Sequence, residues 1–231
     1  MIDLKSFIKR HGIEFSVFAF MALLLLIFVF ANPQVFTSFA IYRAIFTVFP
    51  IALLLSCSLV FVIASGDTDL SFPSTMGVAL WAFSVFTTST NMPVFGLFMA
   101  ILAGLLIGFI NGILVTKVKL SSLVVTIGMN FLLRGLIMVG TGGIGMTLVF
   151  LNNTTFSNIL TGRIFAGFPM QMVWGIAIVI VLHFLFKRHK FGAHVCYSGD
   201  NRTSARETGV KVDRVKIIAY MISTKFFIKP V

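Results

Sequence analysis

The sequence predicts an all-α membrane protein: a polytopic transmembrane bundle of about six complete spans plus the start of a seventh, with a cytoplasmic N-terminus. Three observations lead there. Of 231 residues, 58% are hydrophobic and only 11% charged, with a mean hydropathy of +1.03, whereas a soluble domain averages about 45–50% apolar and about 25% charged. Apolar runs recur at the roughly 20-residue length that a bilayer demands. Lysine and arginine gather in a few segments between those runs. So little polar side chain cannot cover a water-facing globule, which excludes a soluble enzyme, a nucleic-acid binder or a disordered tail.

Taken in order, Lys5, Lys9 and Arg10 precede an apolar run from Ile13 to Ala31. A cleaved signal peptide has an apolar region of about 7–15 residues, so this longer run reads as a retained anchor, broken by Asn32 and Pro33. The second span falls between Ala40 and Ala64, with Pro50 as a kink. Gly66-Asp67-Thr68-Asp69-Leu70-Ser71-Phe72-Pro73 interrupts the pattern, and a third apolar helix extends to about Phe86. After a turn at Asn91 to Pro93, the fourth span runs from Val94 to Val115 and closes at Lys117 and Lys119. The fifth covers Leu123 to Gly140, with Arg134 inside it. Thr141 to Pro169 is too polar to span. The sixth runs from Met170 to Phe186, and the basic segment Lys187 to Lys216 leads to a seventh apolar start at Ile217.

Alternate threading of six spans puts on one side the three N-terminal cations, Lys117 and Lys119, and the eight cations of Lys187 to Lys216. Only Arg43 and Arg163 fall on the other. That asymmetry makes the first side cytoplasmic and explains the net charge of +11 without nucleic acid. No repeat or soluble linker is visible, so residues 1–231 read as one membrane domain. Cys57 and Cys196 lie in unlike surroundings and imply no disulfide.

No phosphate-binding glycine loop, zinc motif or cysteine cluster is present, so the chain reads as a non-enzyme that binds no cofactor or metal. His189 and His194 share a loop and read as solvated. Asp67 and Asp69 sit between apolar helices, where polar residues are costly. Asp69 and Ser71 can cap the following helix, with Pro73 at its first position; alternatively the segment is a non-helical break facing a water-filled path. Gly104, Gly108 and Gly112 clear one stripe of the fourth span for close helix packing, and Asn111 beside them is either a packing hydrogen bonder or a solute contact. Asn130 and Arg134 share a face; Arg134 either snorkels to the interface or lines a polar cavity. In the basic segment, Asp200 or Asn201 can cap a short helix, Arg202 to Thr208, that Gly209 terminates. That helix is either a docking element for a soluble motor or part of an ordinary solvated loop.

An ordered set of motifs then carries a resemblance. Gly66-Asp67-Thr68-Asp69-Leu70-Ser71 is followed by Gly104-x3-Gly108-x2-Asn111-Gly112 and by Arg134-Gly135 with Thr141-Gly142-Gly143. Next come Phe191-Gly192, Gly199-Asp200-Asn201, Ala205, Gly209-Val210 and Val212-Asp213-Arg214-Val215-Lys216. Over about residues 40 to 223 this resembles the permease subunits of bacterial ABC importers for ribose, xylose and related simple sugars. The resemblance implies a multi-pass inner-membrane permease that pairs with a second, identical or different, permease copy. It also implies a cytoplasmic ATPase that uses the ATP and a periplasmic sugar-binding protein that delivers the solute. Gly199, Asp200, Asn201, Ala205, Glu207 and Gly209 would fall in the ATPase-docking loop. Asp67-Thr68 stands where the family commonly has Gly-Ile, and Phe72-Pro73 where Val-Gly is usual, which leaves the solute class open, since relatives also carry autoinducer-2 or nucleosides. The resemblance further leads one to expect a longer chain, so that Thr224 to Val231 reads as an interrupted seventh span. The alternative function is an ion-coupled secondary transporter using Asp67 and Asp69.

Overall fold

In the computed structural model, residues 12–152, 154–164 and 167–225 are described. Lys5, Lys9 and Arg10, and the tail residues Phe226 to Val231, lie outside them. The chain divides into two units, Met1–Phe46 and Thr47–Val231.

The first unit contains helix α1 (Gly12–Ala31), a single turn α2 (Pro33–Phe36) and the beginning of α3 (Phe39–Ala64). Asn32 ends the apolar run by capping α2, its side chain accepting from the Val35 N–H at 3.4 Å, with Pro33 in the first turn. Phe28 and Phe36 stack at 5.4 Å. The Arg43 guanidinium lies 5.1 Å from the centre of the Phe39 ring.

The second unit holds the rest of α3, then α4 (Phe72–Thr90), α5 (Pro93–Thr116) and α6 (Ser122–Thr141). A single 3-10 turn, α7 (Thr155–Thr161) and a small antiparallel pair, β1 (Arg163–Ile164) with β2 (Phe168–Pro169), occupy the polar stretch after α6. Then come α8 (Met170–Lys187), α9 (Lys190–Asp200), α10 (Arg202–Glu207) and α11 (Val212–Lys225). Both α4 and α11 pack along α5. Glycine makes this possible: a Cβ on Gly108 would meet the Thr224 hydroxyl and the Tyr220 carbonyl, and one on Gly112 would meet Ile217 Cα at 2.8 Å. Gly104 is buried on the same stripe. One apolar cluster joins Phe61, Leu182, Val195, Val215 and Ala219; a second joins Val62, Val115, Val125 and Tyr220. Apolar side chains such as Phe98, Phe131 and Val139 point outward, as they do where lipid is the solvent.

The span count is corrected by the structure. Among the described residues, four helices, α3, α5, α6 and α8, are long and apolar enough to cross a membrane, not six with a seventh begun. The anticipated first span is an apolar helix of shorter described extent, Phe15–Ala31. The anticipated third is helical as α4, but Ser84, Thr87, Thr88, Ser89 and Thr90 dilute its apolar character. The anticipated seventh is a 14-residue helix that begins at Val212, with Asp213 in its first turn, rather than an apolar start at Ile217. The cytoplasmic N-terminus derived from threading six spans falls with that count. The basic segment is also not a loop: Gly199 and Asp200 close helix α9.

Candidate functional site

The segment between α3 and α4 is the polar centre of the second unit. Helix α3 ends because Gly66 adopts φ +80°, letting the Asp67 N–H close onto the Val62 carbonyl at 3.2 Å; glycine enters this left-handed conformation without a Cβ penalty. The chain then turns inward. Asp67, Asp69 and Ser71 are all buried.

Two carboxylates in apolar surroundings require partners, and they find different ones. Asp67 Oδ2 accepts from Lys216 Nζ at 2.8 Å and Oδ1 from Arg202 Nη2 at 3.2 Å. The Lys216 side chain is only 1% exposed, whereas that of Arg202 is 54% exposed. Among the described residues, Asp69 pairs with no cation. Its Oδ1 accepts from the Ser71 N–H at 2.9 Å and the Ser71 hydroxyl at 2.6 Å, and its Oδ2 accepts from the Ser223 hydroxyl at 3.1 Å. The Ser71 hydroxyl in turn accepts from Asn111 Nδ2 at 2.9 Å. A directed chain Asn111→Ser71→Asp69 therefore crosses from α5 to the loop. Between the carboxylates, the Thr68 N–H donates to the Ser122 hydroxyl at 3.2 Å, and the Thr68 carbonyl faces the Thr126 and Tyr220 hydroxyls at 3.5 Å.

The capping expectation is met only in part. Asp69 accepts the Ser71 N–H, and Pro73 does stand in the first turn of α4. Ser71, at the N-cap position, makes no side-chain capping bond and spends its hydroxyl on Asp69 and Asn111 instead. Asp67 is held in an ion-pair triad with Arg202 and Lys216.

Of the six residues expected to line a solute path, four are gathered here: Asp67, Asp69, Ser71 and Asn111. Asn130 lies apart and accepts from the Ser74 hydroxyl, joining α6 to α4. Arg134, one turn further along α6, is exposed and lines a cavity of about 430 Å³ with Trp81, Ile137 and Thr141. Asn111 Oδ1 is buried, and among the described residues no donor faces it. An orphan acceptor of this kind can receive a hydroxyl hydrogen from a polyhydroxylated guest.

Helix α10 rests directly on this centre. Asn201 caps it, accepting from Thr203 N–H at 3.0 Å and Ser204 N–H at 3.1 Å, and Gly209 follows it at φ +84°. Ala205 is buried, while Asp200 and Glu207 are exposed. Gly199 lies so close to the end of α3 that a Cβ there would collide with the Ala64 carbonyl and sit 3.1 Å from the Gly66 nitrogen. His189 serves locally, its Nδ1 accepting from the Phe191 N–H as the cap of α9. Among the described residues, no group of three or more His, Cys, Asp or Glu is placed to hold a metal ion.

Sequence reasoning passed over Arg202, Lys216, Tyr220 and Ser223. The last three stand at i, i+4 and i+7, one face of a helix, so a signal was present: three polar-headed residues in step opposite a run with two aspartates.

The model of the family described as branched-chain amino acid transport system / permease component matches residues 41–226, which takes in the whole Gly66–Ser71 loop and its partners on α5, α10 and α11. The chain belongs to this family. It is 29% identical over 216 residues to the xylose/arabinose import permease protein XylH of Sulfolobus acidocaldarius, covering 90% of this chain and 58% of that one. It is 29% identical over 219 residues to the ribose import permease protein RbsC of Haemophilus influenzae, covering 94% and 67%. It is 27% identical over 200 residues to the autoinducer 2 import system permease protein LsrC of Salmonella typhi, covering 86% and 56%. The chain thus spans between about half and two thirds of the length of these curated relatives. No solved structure matches it. As a member of this family the chain is a multi-pass membrane permease component of the bacterial inner-membrane type.

Proposed function

We propose that this permease forms the translocation path of an ATP-driven ABC importer for a monosaccharide or a similar small polar solute. In this reading it pairs with a second permease copy, receives solute from a periplasmic sugar-binding protein and docks on a cytoplasmic ATPase through the end of α9, α10 and Gly209. Family membership and the import permeases among its relatives support the class of solute. The observation that carries the coupling is the seating of α10: an exposed short helix whose first residue, Arg202, reaches the buried Asp67. Asp69, Ser71 and Asn111 contribute the polar lining of the path, with Asn130 and Arg134 further along it.

Gly209→Val and Glu207→Lys test the docking. The first forces a β-branched residue into the left-handed region, a strain of about 1–3 kcal/mol, and the second reverses a charge on an exposed surface. Both variants should insert into the membrane normally yet fail to co-purify the ATPase and fail to support labelled-sugar uptake. Normal association and uptake in both removes α10 from the docking role. Uptake driven by an ion gradient with no ATPase present supports the secondary-transporter alternative instead.

A further inference from the structure

We propose that the permease carries an anion site for a phosphate group, formed where the α5–α6 loop meets α10 and α11, with the headgroup of an anionic phospholipid as its ligand chemistry. A cavity of about 580 Å³ opens there, lined by Lys119, Arg202, Arg206 and Lys216 together with Asp67, Asp213 and the hydroxyl residues Thr116, Ser121 and Ser122.

The charge pattern of its wall is what calls for an anion. Each carboxylate is shared by two cations: Asp67 by Arg202 and Lys216, and Asp213 by Arg206 at 3.0 Å and Lys117 at 3.4 Å. Each trio keeps one uncompensated positive charge. Lys119 adds another, since it is exposed and makes no ion pair among the described residues. Four cations and two carboxylates line the cavity, a residual charge of +2, and Lys117 adds a further positive charge beside it through Asp213. In a wall partly shielded from water, like charges repel unless a counter-ion enters. The neighbouring hydroxyls can donate to such an ion, and charge-assisted bonds of this kind are the strong ones.

Position selects the phosphate group. Lys117 and Lys119 lie in the short connection between α5 and α6, both spanning helices, so the cavity sits at the level where a bilayer meets water. Basic pockets between spanning helices at that depth are suited to anionic headgroups. Lys119 itself takes φ +62°, unusual for a residue with a side chain, and lines the cavity from that conformation.

The experiment uses the full chain in mild detergent, incubated with equal amounts of phosphatidylglycerol and phosphatidylcholine and read by native mass spectrometry for retained lipid. A parallel arm follows thermal unfolding in inorganic phosphate against chloride at matched ionic strength. The expected result is preferential retention of phosphatidylglycerol, falling about fivefold in Lys119→Gln and by less in Lys117→Gln, whose lysine stands beside the cavity as a partner of the lining residue Asp213, with Lys187→Gln, at the end of α8 and outside the cavity, unchanged. A Lys119-dependent stabilisation by inorganic phosphate without lipid preference keeps the phosphate site and assigns it to the free ion. Equal retention of both lipids with no phosphate effect overturns the proposal, as does an equal loss in Lys187→Gln, which would mark general attraction to the basic face. Lys117 and Lys119 are exposed, so their glutamine variants fold, and neither is part of the docking helix, so this outcome is independent of ATPase association.

Discussion

Asp67→Asn should be among the most damaging single changes outside the apolar core. The pair Asp67–Lys216 has side chains 4% and 1% exposed at 2.8 Å. Removing one partner of so buried a pair costs about 3–5 kcal/mol, because it strands the other charge. Arg202 contributes less to the loss, since its side chain is more than half exposed and its pairing is screened. Lys216 has one escape. Burial already pushes its pKa down, with Asp67 opposing the shift, so without Asp67 it sheds its proton at lower pH. For a lysine whose folded pKa lies below its unfolded value, the unfolded chain binds more protons between the two, and stability rises with pH across that window. Asp67→Asn should therefore recover part of its deficit as pH rises toward the unfolded lysine value of about 10.4. The assay is reversible unfolding of the full chain by SDS in mixed micelles, followed by the fluorescence of Trp81 and Trp174. Lys216→Met alone should also destabilise, by stranding Asp67. The double variant Asp67→Asn/Lys216→Met should lose much less than the sum, since replacing both members of a buried pair is often close to neutral. Additive losses, single losses below about 1 kcal/mol, or no recovery at high pH would refute the reasoning.

Gly199→Ala should destabilise by about 1–3 kcal/mol in the same assay, because its Cβ has no space beside the Ala64 carbonyl; a neutral result would mean the α9–α3 contact is loose. Asn111→Leu leaves the Ser71 hydroxyl without its donor and should cost about 1–3 kcal/mol, measured the same way. Asp213 supplies a pH signature. Burial pushes its carboxyl up, but hydrogen bonds from Arg206 and Lys117 outweigh this and hold it below the usual carboxylate value. Its contribution is present above the unfolded pKa and lost as pH falls through the folded one, so Asp213→Asn should flatten the stability profile below about pH 4. The difference at neutral pH should be under about 1 kcal/mol, as these partners are largely exposed.

What was legible in the sequence followed from local chemistry. Four anticipated spans coincide, within a residue at each end, with α3, α5, α6 and α8, because bilayer thickness alone sets their length and composition. Asn201 at the start of α10 and Gly209 after it were readable for the same reason: a cap acts within one turn. The third and seventh segments misled because they are apolar by run but not by role. Helix α4 carries hydroxyls along its second half, and α11 places Lys216, Tyr220 and Ser223 toward the loop rather than toward lipid. The partners of Asp67 were out of reach, since Arg202 and Lys216 are 135 and 149 residues away in sequence. Only the folded chain shows that both basic residues belong to one acid.

The same contacts decide how a movement of α10 would reach the loop. Helix α11 meets the loop at three successive points: Lys216 with Asp67, Tyr220 with Thr68, and Ser223 with Asp69. The seven helical steps from Lys216 to Ser223 advance about 10 Å, against about 7 Å for the two extended steps from Asp67 to Asp69; side-chain reach makes up the difference, and the loop is held along its length by α11. Against that grip, the Arg202–Asp67 bond is the weaker tie, for it is longer and its arginine is half in water. A pull on α10 would part Arg202 from Asp67 before Lys216 let go. A push is different. Gly199 and Gly66 touch backbone to backbone, and packed backbone does not yield as a solvated side chain does. If α10 docks as proposed, the stiff link to the buried polar centre is the glycine contact at the end of α9, and the ion pair serves to keep α10 seated on it. On this reasoning Gly199→Ala, which displaces the contact, should weaken sugar uptake more than Arg202→Gln, which removes only the tie. The reverse order in a transport assay would place the coupling in the ion pair.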